Sequence, residues 1–223
     1  MDRTVRVTGK GKISVVPDTI RLLIVQENVV ADYLDAIKES ADRKAHLLEA
    51  LKGLGFVKED IKTLYFNVDT EYEGFQAKDK SWKRRFVGYK YTHRMKLEFA
   101  SDNDRLGRVL GALANSREQS EFSILYTVSD PEEAKNKVLA KAVSDSRKKA
   151  EVLSEAAGVE LGKILSVDYS WGELDIYSRP MGVDMLESYQ DDADYEDTRD
   201  MDIDIEPDDI DITDTVTVLW EIK

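Results

Sequence analysis

The 223-residue sequence predicts an α+β fold, with antiparallel-rich sheets and helices packed on one face. Strand patterns arrive in adjacent pairs, as hairpins do, rather than alternating singly with helices. Helical patterns of unequal length separate those pairs. One of them, between Ser129 and Gly158, has both ends written out and is long enough to cross a small sheet. A chain of this length can bury a real core, as one large domain or two small ones, and no solenoid-scale repeat runs through it.

Val5 to Val16 alternates apolar and polar residues except at Gly9 and Gly11, where a bulge or bend is expected. No helix opens after Gly9-x-Gly11, so it is not a phosphate loop. Pro17-Asp18 turns the chain, and Thr19 to Val29 returns as a strand with few charges, expected to be central. Ala31 to Gly53 is a helix with Leu34, Ile37, Ala41, Leu48 and Leu51 as its stripe and Gly53-Leu54-Gly55 as its stop. Ile61 to Tyr72 reads as a strand through Leu64, Phe66 and Val68. Glu73 to Arg85 reads as a loop. Phe86 to Phe99 then alternates cleanly, with Tyr89, Tyr91, His93, Met95, Leu97 and Phe99 on one face and Lys90, Arg94, Lys96 and Glu98 on the other.

Ser101 is the expected cap of a second helix, Asp102 to Asn115, with Leu106, Val109, Leu110 and Leu113 inward. Phe122, Ile124, Tyr126 and Val128 mark a strand running directly into the long helix. There Asp130 caps, Pro131 suits the first helical position, Glu133 stands at the capping-box position and Gly158 supplies the stop. Val138, Leu139, Ala142, Val143, Ser146, Ala150, Leu153 and Ala157 share one face; Lys141, Ser144, Lys148 and Glu155 fall opposite. At 1.5 Å per residue this helix is roughly 40 Å long. The small residues Ala142, Ser146 and Ala150 would let it lie close against a sheet. Ile164 to Trp171 and Thr213 to Ile222 both read as core strands, the latter alternating through Val216, Val218, Trp220 and Ile222.

Composition excludes several functions. Without cysteine there is no disulfide, thiolate chemistry or Cys-based zinc site, and two histidines leave little for a His-rich one. No apolar run approaches the roughly 18 residues that span a bilayer, so membrane insertion is not expected. The chain enters a strand pattern at once, with no charged and apolar leader, so as given it reads as cytoplasmic, although a chain trimmed after export would read the same. The net charge of −13 is uneven: Asp184 to Asp211 holds fourteen acidic residues against Arg199, and the rest balances at 31 of each sign. A balanced body has no basic excess to displace counterions along phosphates, which argues against nucleic acid as a partner.

Few residues invite chemistry. His46 lies in the first helix with no second ligand one turn away, so a surface or boundary role is expected. His93 points with the apolar set of its strand and reads as a hydrogen-bonded core or edge histidine. With these alone, and no Gly-x-Ser-x-Gly elbow, a hydrolase triad is poorly supported, and no catalytic residue or cofactor site is expected. Trp82, Lys83, Arg84 and Arg85 interleave an aromatic with cations in the expected loop and are partner-contact candidates; a solvated tip is the alternative. Asp184 to Thr198 has few apolar anchors and reads as a mobile loop within an acidic insertion of about 184–211. Asp200, Asp202, Asp204 and Glu206, followed by Asp208 and Asp211, mimic the spacing of a calcium loop. Ile205 stands where that loop needs Gly, Asp211 where it needs Glu, and Pro207 interrupts it. A strand edge charged against edge pairing is the stronger reading, and no metal is expected.

Several pieces recur together: Val7-Thr8-Gly9-Lys10-Gly11 with Pro17-Asp18; Gly88-Tyr89; Phe122-Ser123; Ser129-Asp130-Pro131 before an alanine- and lysine-rich helix; and Ala157-Gly158-Val159-x-Leu161-Gly162-Lys163. Ile205-Glu206-Pro207-Asp208-Asp209-Ile210 and Val216-Thr217-Val218-Leu219-Trp220 complete the set. In this order and spacing they resemble the SIMPL-domain family, which includes bacterial periplasmic immunogenic proteins and a mammalian partner of a Pelle-like kinase. The likeness runs from about Val5 to Ile222. It implies two interleaved subdomains, here taken as 1–60 with 129–223, and 61–128. It also implies homo-oligomeric rings and, for some members, a stress or envelope setting, and it supplies no catalytic residues. The function expected is a non-enzymatic, self-associating module with a possible protein partner. The rival is a small-molecule binding protein or enzyme with a pocket between subdomains.

Overall fold

The computed structural model describes residues 3–78, 80–116, 120–169, 174, 176–179 and 205–223. Its elements are β1 (Thr4–Val15), β2 (Thr19–Val30), α1 (Tyr33–Lys52), β3 (Lys62–Gln76), β4 (Trp82–Ala100), α2 (Asn103–Ala114), β5 (Glu121–Thr127), α3 (Pro131–Ala157), β6 (Leu161–Asp168), β7 (Tyr177–Ser178) and β8 (Ile210–Ile222). Two antiparallel sheets run β1-β8-β6 and β3-β4-β2-β5-β7, as the α+β expectation requires. The expected loop 184–198, Trp171, and the calcium candidates Asp200, Asp202 and Asp204 lie outside the described residues.

The chain divides into two compact units, residues 1–18, 127–178 and 207–223 in one and 19–126 with 179–206 in the other. Residues 19–60 therefore do not go with the N-terminal strand, as the sequence suggested. The reason is pairing: β2 forms its ladder with β4 from Thr19↔Ala100 to Val30↔Tyr89, whereas β1 pairs with β8.

In the first unit α3 covers one face of the β1-β8-β6 sheet. Its ends are as the sequence specified. Asp130 accepts from the Glu133 amide at 2.8 Å, Pro131 opens the helix, and Gly158 closes it at φ 67°, in the left-handed region. The Glu133 carboxylate does not reach back over the cap; it pairs with Lys137 at 2.7 Å. The buried row is Ala134, Val138, Ala142, Ser146, Ala150 and Ser154, while Leu153 and Ala157, expected inside, are exposed. A strict four-residue row of small side chains wins because the helix lies almost on the strand. A Cβ at Gly9 would stand 2.0 Å from the Ala142 carbonyl oxygen, and one at Gly11 2.0 Å from that of Val138. No bulge breaks β1 there: its register with β8 is continuous from Thr4↔Glu221 to Val15↔Ile210. The glycines make room for the helix rather than bending the strand.

Val7, Val216, Val218 and Trp220 pack around Ala142 and Ala150, and Ile13, Ile210 and Ile212 around Val138. β8 begins at Ile210, so the acidic insertion ends before it, and Asp211 is a strand residue paired with Lys12 at 2.7 Å. β6 is no core strand. It lies at the sheet edge with two register shifts against β8, and Ile164, Leu165 and Val167 are exposed.

In the second unit α1 and α2 cover one face of the sheet. Ile20, Leu22 and Ile24 of β2 and Met95, Leu97 and Phe99 of β4 meet Leu47 and Leu51 of α1 and Leu106, Val109, Leu110 and Leu113 of α2. Asp102, not Ser101, caps α2 by accepting from the Arg105 amide at 3.0 Å. The phase of α1 departs most from expectation. Ala36, Ser40, Leu47 and Leu51 face the sheet, while Leu34, Ile37 and Ala41 are exposed. Its buried face is partly polar, for a reason that lies in the site below.

Candidate functional site

Two places in the second unit gather the side chains that could carry function. The first is the β3–β4 hairpin. Glu73 to Arg85 is not a loop: β3 continues to Gln76 and β4 starts at Trp82, paired as Gln76↔Trp82, Phe75↔Lys83, Gly74↔Arg84 and Glu73↔Arg85. The turn is closed by two 2.8 Å backbone bonds, from the Ala77 amide to the Ser81 carbonyl and from the Lys80 amide to the Ala77 carbonyl. β2 stops pairing with β4 at Tyr89, so the hairpin beyond that point is a two-stranded arm extending past the sheet.

Alternation then splits the four candidates between faces. Trp82 and Arg84 share one face with Tyr72 and Phe86; Lys83 and Arg85 take the other with Glu73 and Phe75. Arg84 lies over the Tyr72 ring at 5.1 Å, and Tyr72, Phe86, Tyr89 and Tyr33 follow one another edge to face at 5.4–5.7 Å. Arg85 is engaged by Glu73 at 2.6 Å. The three cations therefore do not converge. What the arm offers is an aromatic face carrying one guanidinium, tipped by Trp82, 77% exposed.

The second place is a polar seam between α1 and the sheet. His93 Nδ1 and Ser40 Oγ share a hydrogen bond at 2.9 Å, and His93 Nε2 and Thr63 Oγ1 another at 2.9 Å. The Lys44 ammonium reaches Thr63 Oγ1 at 3.5 Å. Burial first, and the Lys44 charge second, push the His93 imidazole below its ordinary value. Lys44 is itself lowered by burial and by Lys58 and Lys62. Beside them Arg43 donates to the Tyr91 hydroxyl at 2.9 Å, Tyr91 donates to Glu39 at 3.2 Å, and Asn28 donates to the same carboxylate oxygen at 2.7 Å.

This seam holds a Ser–His contact. Ser40 is 2% and His93 6% exposed, and both imidazole nitrogens are engaged by hydroxyls. His93 thus stands as the hydrogen-bonded core histidine that strand alternation predicted. Ser40 and Lys44 were not legible, because the apolar stripe expected for α1 has the wrong phase, and Thr63 lies on β3, whose pattern reads through Leu64, Phe66 and Val68. A small polar residue four after Ala36 and seven before Leu47 was the available signal.

His46 is exposed on α1. Of the calcium candidates, Glu206 is described and exposed. Among the described residues no group of three His, Asp or Glu side chains is arranged to hold a metal ion. No described helix is long and apolar enough to cross a membrane.

No curated protein matches this chain. A family model does: SIMPL, a protein of unknown function (DUF541), over residues 5–220. That span takes in every described strand and helix apart from the terminal residues of β1 and β8. Together with the two antiparallel sheets and their covering helices, it shows that the chain belongs to the SIMPL family.

Proposed function

We propose that this protein is a non-enzymatic, self-associating module whose contact surface is the aromatic face of the β3–β4 arm. The observation that carries the reading is Trp82, 77% exposed at the end of a hairpin that no third strand supports among the described residues. A two-stranded ribbon is marginal in water by itself. Covering its Tyr72–Arg84–Phe86 face with a second copy would remove large aromatic area from water and supply the missing support. Aromatic and arginine side chains are the types that dominate protein contacts. A stress or envelope setting is proposed on the family likeness.

Light scattering across concentration tests the association; a strictly monomeric chain up to high concentration would remove this reading. Trp82→Ala should weaken assembly by about 2 kcal/mol, roughly 30-fold in dissociation constant, as loss of a central aromatic anchor does. Replacing Arg84 and Arg85 by Ala should weaken it more at low salt than at high salt. Because Arg85 is held by Glu73, Arg84→Ala alone should reproduce most of that effect. Equal assembly of all variants at both salts would return the arm to a solvated tip.

A further inference from the structure

β1 is an edge strand of the β1-β8-β6 sheet, and its outer side is occupied in an ordered way. The Arg3 carbonyl accepts from the Ile222 amide at 2.9 Å, so odd-numbered residues turn their backbone groups to β8 and even-numbered ones turn theirs outward. At three consecutive outward positions α3 takes one of the two backbone groups. Lys149 Nζ donates to the Thr8 carbonyl at 3.2 Å, the Lys10 amide donates to Asp145 Oδ2 at 2.7 Å, and Lys141 Nζ donates to the Lys12 carbonyl at 3.3 Å. Lys141, Asp145 and Lys149 are spaced by four, so they form one row along the helix, and Lys149 pairs with Asp145 at 2.7 Å. Donor meets carbonyl and acceptor meets amide at each step. The row reaches the backbone because Gly9 and Gly11 let α3 lie almost on the strand.

We propose that this row is an edge lock: by taking one backbone group at each of Thr8, Lys10 and Lys12 it interrupts the ladder that β1 would otherwise form with the β6 edge of a second copy of this chain. β6 is the fitting occupant because it is the opposite edge of the same sheet. It presents exposed apolar side chains at Ile164 and Val167, and it carries Asp168 against the basic face of Arg6 and Lys10, Lys12 being engaged by Asp211. Such head-to-tail pairing is heterologous, so unless its rotation closes a ring it propagates as an open filament. The lock confines association to other surfaces, and it stands whether or not the arm is one of them.

The test uses the full chain in a Trp82→Ala background, so that arm contacts do not enter. Lys141, Asp145 and Lys149 are replaced together by Ala, with Arg147→Ala, on the same helix but outside the row, as control. The triple variant should form scattering, thioflavin-positive assemblies where the control does not, and adding Val167→Lys at the β6 edge should suppress them. Asp145→Ala alone, read by amide exchange in the monomer, should speed exchange of the Lys10 amide about tenfold, as opening of a local protected site does. A triple variant that stays in the control's state overturns the proposal, as does filament formation indifferent to Val167→Lys. If the triple variant fails to fold, an unchanged Lys10 amide in Asp145→Ala overturns it and a faster one supports it.

Discussion

A neutral imidazole has one donor and one acceptor, and His93 has a hydroxyl at each nitrogen, Ser40 on one side and Thr63 on the other. Either hydroxyl can serve either role, so the neutral ring is satisfied in full. Protonation would put a charge into a buried seam beside Lys44. The folded pKa is therefore below the ordinary value of about 6.5. With a depressed pKa the folded state binds fewer protons than the unfolded one. Its stability contribution is present above about 6.5 and is lost as pH falls below that value toward the folded pKa. The urea midpoint should fall between pH 7 and 5 in the parent chain and fall less in His93→Gln. Identical pH slopes would show that some other group titrates. The role of His93 was legible because strand alternation has a fixed period of two. That of Ser40 was not, since leucine and isoleucine near the start of α1 outweighed a serine in the pattern. Those residues, Leu34 and Ile37, turn out to be exposed.

At the scale of elements, α3 on β1 is the contact that small residues make possible. Both surfaces are stripped down: Gly9 and Gly11 on the strand, Ala142, Ser146 and Ala150 on the helix. Adding one methyl at Gly9 meets the backbone oxygen of Ala142, which cannot rotate away as a side chain would. Gly9→Ala should cost about 3 kcal/mol, the upper end of overpacking penalties. That would lower the melting temperature by roughly 6–12 °C in a chain of this size. Gly53→Ala, where an added Cβ meets nothing within 4 Å, should leave it nearly unchanged and serves as the control. Similar melting of both variants would mean that the helix can lift off the strand at little cost. The caps of α3 were readable because capping chemistry is local: Asp130, Pro131 and Gly158 act within one turn. Why glycine stands at 9 and 11 was not readable. A glycine in a strand signals a bulge or a close approach, and only the position of a helix some 130 residues later decides between them.

For the whole molecule, element order was legible apart from the two-residue β7, and the division into units was not. Each strand's pattern says which face is buried, but not which strand lies beside it. Pairing of β1 with β8 joins the two ends of the chain across more than 200 residues. Local sequence has no means of stating that. The chain first leaves the first unit after Asp18 and re-enters it at Thr127, and these two of its four crossings end on neighbouring residues of that unit. Asp18 fastens them. Its amide donates to the Thr127 carbonyl at 3.1 Å, while its two carboxylate oxygens accept from the Ser129 amide and the Ser129 hydroxyl, both at 2.7 Å. Pro17 immediately before it and the capping turn of α3 immediately after Ser129 leave this clasp little freedom to reform elsewhere. Asp18→Ala removes both carboxylate bonds and keeps the backbone one, at a cost of about 1–2 kcal/mol after allowance for water at an exposed site. Asp18→Asn keeps one accepting oxygen and should lose about half as much. Ser129→Ala leaves the backbone donor in place and should match Asn rather than Ala. Denaturant midpoints of the three variants would check the order. A ranking with Ser129→Ala as damaging as Asp18→Ala would place the fastening in the serine hydroxyl instead of the aspartate pair of bonds.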